Sequence, residues 1–160
     1  MAIKLGAGLG AHVTVISRSS AKEADARALG AADFLVSSDA SAMDGAGESF
    51  DLLIDTVPVE HAIDPYTPLL DIDGTLVLVG QFGTVGNPST VPLIAGRRRI
   101  AGAPFGGLCQ TQELLDFCAE KNILPDCEMI SIDEINLAYE RLTRSDVRYR
   151  FVIDMATLKG

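Results

Sequence analysis

The chain has 160 residues, 48% of them hydrophobic and 22% charged, with a formal net charge of −9. That length suits one domain with a core of its own, and the aliphatic richness excludes a disordered chain. The negative field excludes nucleic acid and anionic membrane surfaces as partners, because it would repel both.

No apolar stretch reaches the ~20 residues that span a bilayer, and the N-terminus carries no secretory apolar region, so the expected location is cytoplasmic. Cys109, Cys118 and Cys127 are odd in number and lack a C-x-x-C pair. They indicate neither a disulfide framework nor a zinc knuckle and read as buried or semi-buried thiols. The basic triplet Arg97-Arg98-Arg99 reads as a solvated lead-in to a strand.

In chain order, the first motif is Gly6-Ala7-Gly8-Leu9-Gly10-Ala11, which formally satisfies G-x-G-x-x-A. A working pyrophosphate loop follows a strand and opens a helix. Here only five residues precede it and a strand follows at once. Residues 1–9 are therefore expected to be the end of a helix, stopped by Gly10, with Gly6 and Gly8 each costing about 1 kcal/mol relative to alanine.

Strands are expected over 12–17, 33–36, 50–56, 75–80, 100–105 and 151–155. Helical spacing marks 20–29, 59–70 (punctuated by Pro65 and Pro68), 111–121 and 133–142, and the Gly, Asn, Pro and Ser content of 83–92 marks a surface loop. Alternating strands and helices, with strands apolar on both faces as in Leu76-Val77-Leu78-Val79, imply a mainly parallel sheet covered on two sides. The expected fold class is α/β, doubly wound and Rossmann-like.

The strand over 12–17 runs into Ser17-Arg18-Ser19-Ser20-Ala21-Lys22. At that place a dinucleotide fold reads the adenosine ribose. An acidic residue would accept from a 2′-hydroxyl and select NAD, whereas arginine, hydroxyls and lysine suit a 2′-phosphate and select NADP. The competing reading is a plain helix cap by Ser19 or Ser20.

The strings His12-Val13-Thr14-Val15-Ile16-Ser17, Ala28-Leu29-Gly30-Ala31, Asp51-Leu52-Leu53-Ile54-Asp55-Thr56-Val57, Gly74-Thr75-Leu76-Val77-Leu78-Val79-Gly80 and Asp146-Val147-Arg148-Tyr149-Arg150-Phe151-Val152-Ile153-Asp154 resemble the zinc-dependent, medium-chain alcohol dehydrogenases. Within them the resemblance is to the NADP-preferring, cinnamyl-alcohol-dehydrogenase-like subgroup, over nearly the whole chain. It implies that Arg18, Ser19 and Lys22 hold the 2′-phosphate, that Thr56 and Val57 line the cofactor groove, and that Val79 and Gly80 face the nicotinamide ribose. It further implies backbone contacts to the carboxamide around Gly102, Ala103 and Phe105, and a pyrophosphate contact from Arg150. Each position keeps a second reading: Thr56 and Gly80 as strand ends, Lys22 as a solvated helix residue, Arg150 as a partner of a surface carboxylate.

The departures from the family are also specific. Its N-terminal domain, with the catalytic and structural zinc ligands, has no counterpart here, so zinc is expected only in that absent domain. No residue of the chain is assigned a catalytic or metal-binding role, and His61 is expected on a helix surface. Ala103-Pro104 stand where the subgroup usually has serine at 103, and proline confines that strand to an edge or a bulge.

Residues 1–160 thus read as an incomplete NADP-binding Rossmann domain with a C-terminal tail, lacking its first strand and glycine loop. That loss is expected to leave a gap of about 9.5 Å, two strand spacings, between the second and fourth family strands. The chain would then rearrange, borrow a strand or be unstable. A homodimer is expected through the edge strand over 100–105. The implied function is the cofactor-binding part of an NADP-dependent zinc alcohol dehydrogenase acting on a small alcohol or aldehyde, the chain alone being inactive. The alternatives are a zinc-free quinone oxidoreductase cofactor domain, or a non-catalytic NADP-binding or dimerising fragment of a truncated gene.

Overall fold

The computed structural model describes residues 1–80, 83–144 and 146–158. The chain forms two compact units, one of residues 2–117 and one of residues from 118 onward with Met1. No described helix is long and apolar enough to cross a membrane.

The first unit opens with helix α1 (Ala2–Gly8). It ends as the sequence predicts, with Gly10 in the left-handed region at φ +83°. The Ala11 amide donates to the Gly6 carbonyl at 3.0 Å and the Gly10 amide to Ala7 at 3.0 Å, so the last carbonyls are satisfied by a glycine stop. The helix glycine at position 6 has a packing reason as well: a Cβ there would lie 2.8 Å from Cγ2 of Val13. The G-x-G-x-x-A string is a helix terminus that presses on Val13, the residue just ahead of the next strand.

Strands β1 (Thr14–Ser17) and β2 (Asp33–Val36) pair in parallel through helix α2 (Glu23–Ala28), whose Ala26 is buried. Helix α3 (Ala40–Gly45) follows, capped by Asp39 accepting from the Ala42 amide at 3.1 Å. Strands β3 (Phe50–Asp55), β4 (Leu70–Leu78) and β5 (Arg99–Gly102) make a second parallel sheet in the order β3-β4-β5. Helix α4 (Val91–Gly96), with proline in its first turn, lies between β4 and β5. On one face of this sheet Ile63, Leu70 and Leu76 are buried, with Leu53, Leu78, Val85 and Ile100 packed against them. Complete burial of such side chains stabilises by about 1.5–3 kcal/mol each.

The two sheets are separate, and no described strand joins them. Among the described residues β1 and β3 each pair on one side. An interruption beside those two strands is what the sequence predicts.

The second unit is a parallel pair, β6 (Glu128–Ser131) and β7 (Phe151–Asp154), crossed by helix α6 (Ile135–Thr143). A capping box of Ser131 and Glu134 starts the crossover. Arg141 holds the pair together: it binds both Glu128 oxygens, reaches Asp146 at 3.2 Å and lies 4.9 Å from the Phe151 ring centroid. Helix α5 (Leu108–Glu120) runs into this unit from the first.

Four expectations need correction. Residues 59–70 are not a helix: Pro58, Pro65 and Pro68 interrupt the backbone donors, and only a short 3-10 turn, Thr67–Leu69, forms. The strand expected over 100–105 ends at Gly102 because Pro104 has no amide to continue the ladder; the last bond is Ala103 N to Leu78 O at 3.2 Å. Cys109 and Cys127 are exposed rather than buried, while Cys118 is half-buried as expected; α5, which carries Cys109 and Cys118, buries no residue. Within the basic triplet Arg97 and Arg99 are exposed and pair with Asp73, but Arg98 is buried, donating to Glu48 at 2.8 Å and to the carbonyls of Asp71 and Pro92.

Candidate cofactor groove

Parallel pairing puts the carboxyl ends of β3, β4 and β5 on one edge, where open α/β sheets bind ligands. The tightest junction on that edge joins β3 and β4. The amides of Val79 and Gly80 both donate to the Asp55 carbonyl, at 3.0 and 3.1 Å. A Cβ on Gly80 would lie 2.4 Å from the Thr56 carbonyl carbon and 2.5 Å from its oxygen, so only glycine fits there. Thr56, Val57, Val79 and Gly80, four of the sequence-predicted residues, are thereby brought together. Thr56 and Val57 are exposed along the rim and Val79 and Gly80 half-buried.

Asp55 organises the rim. Its Oδ1 accepts from the Val57 amide at 2.9 Å, and its Oδ2 lies 3.1 Å from Nε2 of His61. Oδ2 is buried and has no other polar neighbour of hydrogen-bonding geometry, so the contact with His61 is an ion-pair approach rather than a straight hydrogen bond. Nδ1 of His61 faces the Val59 carbonyl at 2.9 Å, and the ring stands edge-on to Tyr66 with centroids 6.2 Å apart. The expectation of a helix-surface histidine fails: the side chain is 22% exposed and belongs to the loop that closes the rim. The order Asp55-Thr56-Val57 with His61 six residues after Asp55 carried no signal without the loop conformation.

At the carboxyl end of β1, Arg18, Ser19 and Lys22 are all exposed. Ser19 stands at the N-cap of a 3-10 turn, Ser20–Lys22, yet makes no side-chain capping bond. Among the described residues Arg18 and Lys22 form no ion pair, so a hydroxyl and two cations are uncommitted at one turn. Gly102, Ala103 and Phe105 are exposed at the end of β5, with Phe105 90% accessible. Arg150 is exposed at the start of β7 in the second unit, its carbonyl accepting from Glu128 at 2.9 Å. Among the described residues no three His, Cys, Asp or Glu side chains cluster as metal ligands would.

A family model described as zinc-binding dehydrogenase matches residues 1–120. The chain belongs to the zinc-binding dehydrogenase family. It is 46% identical over 160 residues to cinnamyl alcohol dehydrogenase 1 of Ocimum basilicum, covering 99% of this chain and 45% of that protein. It is 49% identical over 159 residues to the aldehyde reductase YahK of Escherichia coli, covering 99% and 46%. Among solved structures, a cinnamyl alcohol dehydrogenase of Sorghum bicolor superposes with a TM-score of 0.88 at 42% identity, covering 99% of this chain and 45% of that one. The Helicobacter pylori cinnamyl alcohol dehydrogenase complexed with NADP(H) gives 0.81 at 33% identity, covering 99% and 45%. The chain thus spans less than half the length of the curated relatives it matches, and its architecture is that of the family's Rossmann-type portion.

Proposed function

We propose that these residues form the cofactor-binding part of an NADP-dependent zinc alcohol dehydrogenase that interconverts a small primary alcohol and its aldehyde. The observation that carries the reading is the uncommitted donor set Arg18, Ser19 and Lys22 at the carboxyl end of β1. A 2′-phosphate of the dinucleotide would complete those donors with charge-assisted bonds, and no acidic side chain occupies the turn to prefer a 2′-hydroxyl. The relative solved with NADP(H) agrees with this choice.

When bound, the nicotinamide supplies the hydride chemistry. This chain's residues hold and orient the dinucleotide. Thr56 and Val57 present the wall of the groove, Val79 and Gly80 allow close approach of the nicotinamide ribose, and backbone groups around Gly102, Ala103 and Phe105 meet the carboxamide. These residues bind and orient the cofactor, so the chain alone is expected to be inactive, with zinc held by the family's catalytic domain. The outer edge of β5, which among the described residues pairs with β4 alone, fits a homodimer by sheet extension across a two-fold axis. A cytoplasmic location suits the family's soluble chemistry.

The test is a thermal-shift titration of the 160-residue chain with NADPH and with NADH. A cooperative melt raised by NADPH and little by NADH is expected; at 100 times the dissociation constant the gain is about 2.7 kcal/mol. Equal shifts would overturn the NADP assignment, and no shift with either would overturn cofactor binding by this chain.

A further inference from the structure

We propose that Asp55 is a positioning residue for the nicotinamide half of the dinucleotide, and that it acts through one acceptor oxygen rather than through its charge. The proposal rests on the cofactor-groove reading, which puts the 2′-phosphate at the end of β1 and the nicotinamide ribose at Val79-Gly80.

Both walls of the β3–β4 junction are tied to this one residue. The Asp55 carbonyl accepts from the amides of Val79 and Gly80 at 3.0 and 3.1 Å, which fixes the β4 wall. Its Oδ1 accepts from the Val57 amide at 2.9 Å, which fixes the wall after β3. A side-chain oxygen that bonds the amide two residues on is an Asx-turn, a local substitute for the ladder where a strand ends. The peptide between Thr56 and Val57 is therefore gripped twice. Oδ1 holds its N–H, and Gly80 lies so close that a Cβ there would be 2.4 Å from the Thr56 carbonyl carbon and 2.9 Å from the Val57 nitrogen. Val57 is 42% exposed, so without Oδ1 its amide would be left to solvent and the peptide would be free to turn.

Oδ1 carries the hold alone. Oδ2 is buried and meets no donor of hydrogen-bonding geometry, so the second oxygen, and with it the negative charge, adds no bond to the wall. A carboxamide supplies the same acceptor without the charge. The adenosine end is built independently: Arg18, Ser19 and Lys22 stand at the end of β1 in the other sheet, and among the described residues none of them bonds to Asp55.

The experiment pairs residue-resolved amide hydrogen exchange of the full chain with titrations of NADPH and of adenosine 2′,5′-bisphosphate, which carries the 2′-phosphate and lacks the nicotinamide half. In the wild type the Val57 amide is expected to exchange at least ~10-fold more slowly than an unbonded amide. Asp55→Asn, which keeps the acceptor, is expected to retain that protection and to hold both affinities within about two-fold. Asp55→Leu, near in volume but without an acceptor, is expected to lose the protection and to bind NADPH ~10-fold more weakly, with the bisphosphate affinity unchanged. Asp55→Ala repeats the test if the Leu variant does not fold, and the wild-type exchange and the Asn variant decide in either case. An unprotected Val57 in the wild type, an Asn variant that behaves like Leu, or a Leu variant that weakens both ligands equally or neither overturns the proposal. A wild type that binds neither ligand while Val57 exchange follows this pattern overturns the cofactor reading and leaves the hold by Oδ1 standing.

Discussion

The carboxyl ends of β1 and β3 are built on opposite principles. At β1, Arg18, Ser19 and Lys22 stand exposed with their donors uncommitted, whereas at β3 the Asp55 carbonyl takes two amides, its carboxylate takes Val57 and His61, and Gly80 is pressed against Thr56. The first is a turn whose side-chain donors have no partner in the fold, which the proposed function assigns to a ligand. The second is a place where backbone shape is fixed beforehand. Under the proposed function, the contrast teaches that selectivity between related dinucleotides would reside in replaceable side chains, while the shape of the β3–β4 junction resides in close backbone approach, which tolerates almost no substitution.

The sharpest way to break the comparison is Gly80→Ala. Its added carbon would overlap the Thr56 carbonyl group, so a loss of about 3 kcal/mol in urea unfolding is expected, the upper range for overpacking. A variant as stable as the wild type would show that the junction is not tight. Next in size is the pair Arg18→Glu with Lys22→Glu, for which NADPH affinity measured by fluorescence should fall ~100-fold, about 2.7 kcal/mol. NADH affinity and the melting temperature should hardly move, because neither side chain supports the fold; a matching loss of stability would refute that separation.

Arg98→Met serves as a control remote from both ends. The ion pair with Glu48 counts for little, since Glu48 is 71% exposed, but the buried guanidinium also serves two carbonyls and lies over Gly96. About 2 kcal/mol of stability should be lost with the NADPH to NADH preference intact; a changed preference would tie the amino end of the sheet to cofactor choice.

The smallest effect is expected from Asp73→Asn. The Arg97 hydrogen bond, opposed by burial and aided by the charges of Arg97 and Arg99, holds the Asp73 carboxyl below its ordinary value of 3.8. The folded chain therefore binds that proton more weakly than the unfolded chain, so the contribution is complete above the ordinary value and fades as pH falls below it. The difference in melting temperature between wild type and variant should be slight at neutral pH and shrink as pH falls below 3.8. A difference that grows in acid would reverse the sign.

The order of strands was largely legible because apolar runs bounded by turn residues are a local signal. Asp33–Val36 has the expected bounds, and Phe50–Asp55 differs by a residue. Strand β6, Glu128–Ser131, escaped because only Ile130 among its four residues is buried, which leaves no alternation to read. Val91–Gly96 was hidden under the loop composition before it, although Pro92 in the first turn is a helix-start signal. Asp39 likewise announces α3 as an N-cap. Within the candidate groove, Thr56, Val57, Val79 and Gly80 were named through family resemblance. Their mutual contact and the part played by Asp55 and His61 were not, because both arise from a loop whose helical spacing is overruled by three prolines.

Every ladder among the described residues is parallel and joins strands consecutive in sequence. No pair can start from a two-residue hairpin; each waits for its own crossover to close, which places the chain among slow-forming topologies. Yet each crossover lies wholly between the strands it joins. As the chain leaves the ribosome, every ladder can be completed before the next strand pair has been made, so the order of synthesis supplies the timing that local pairing cannot.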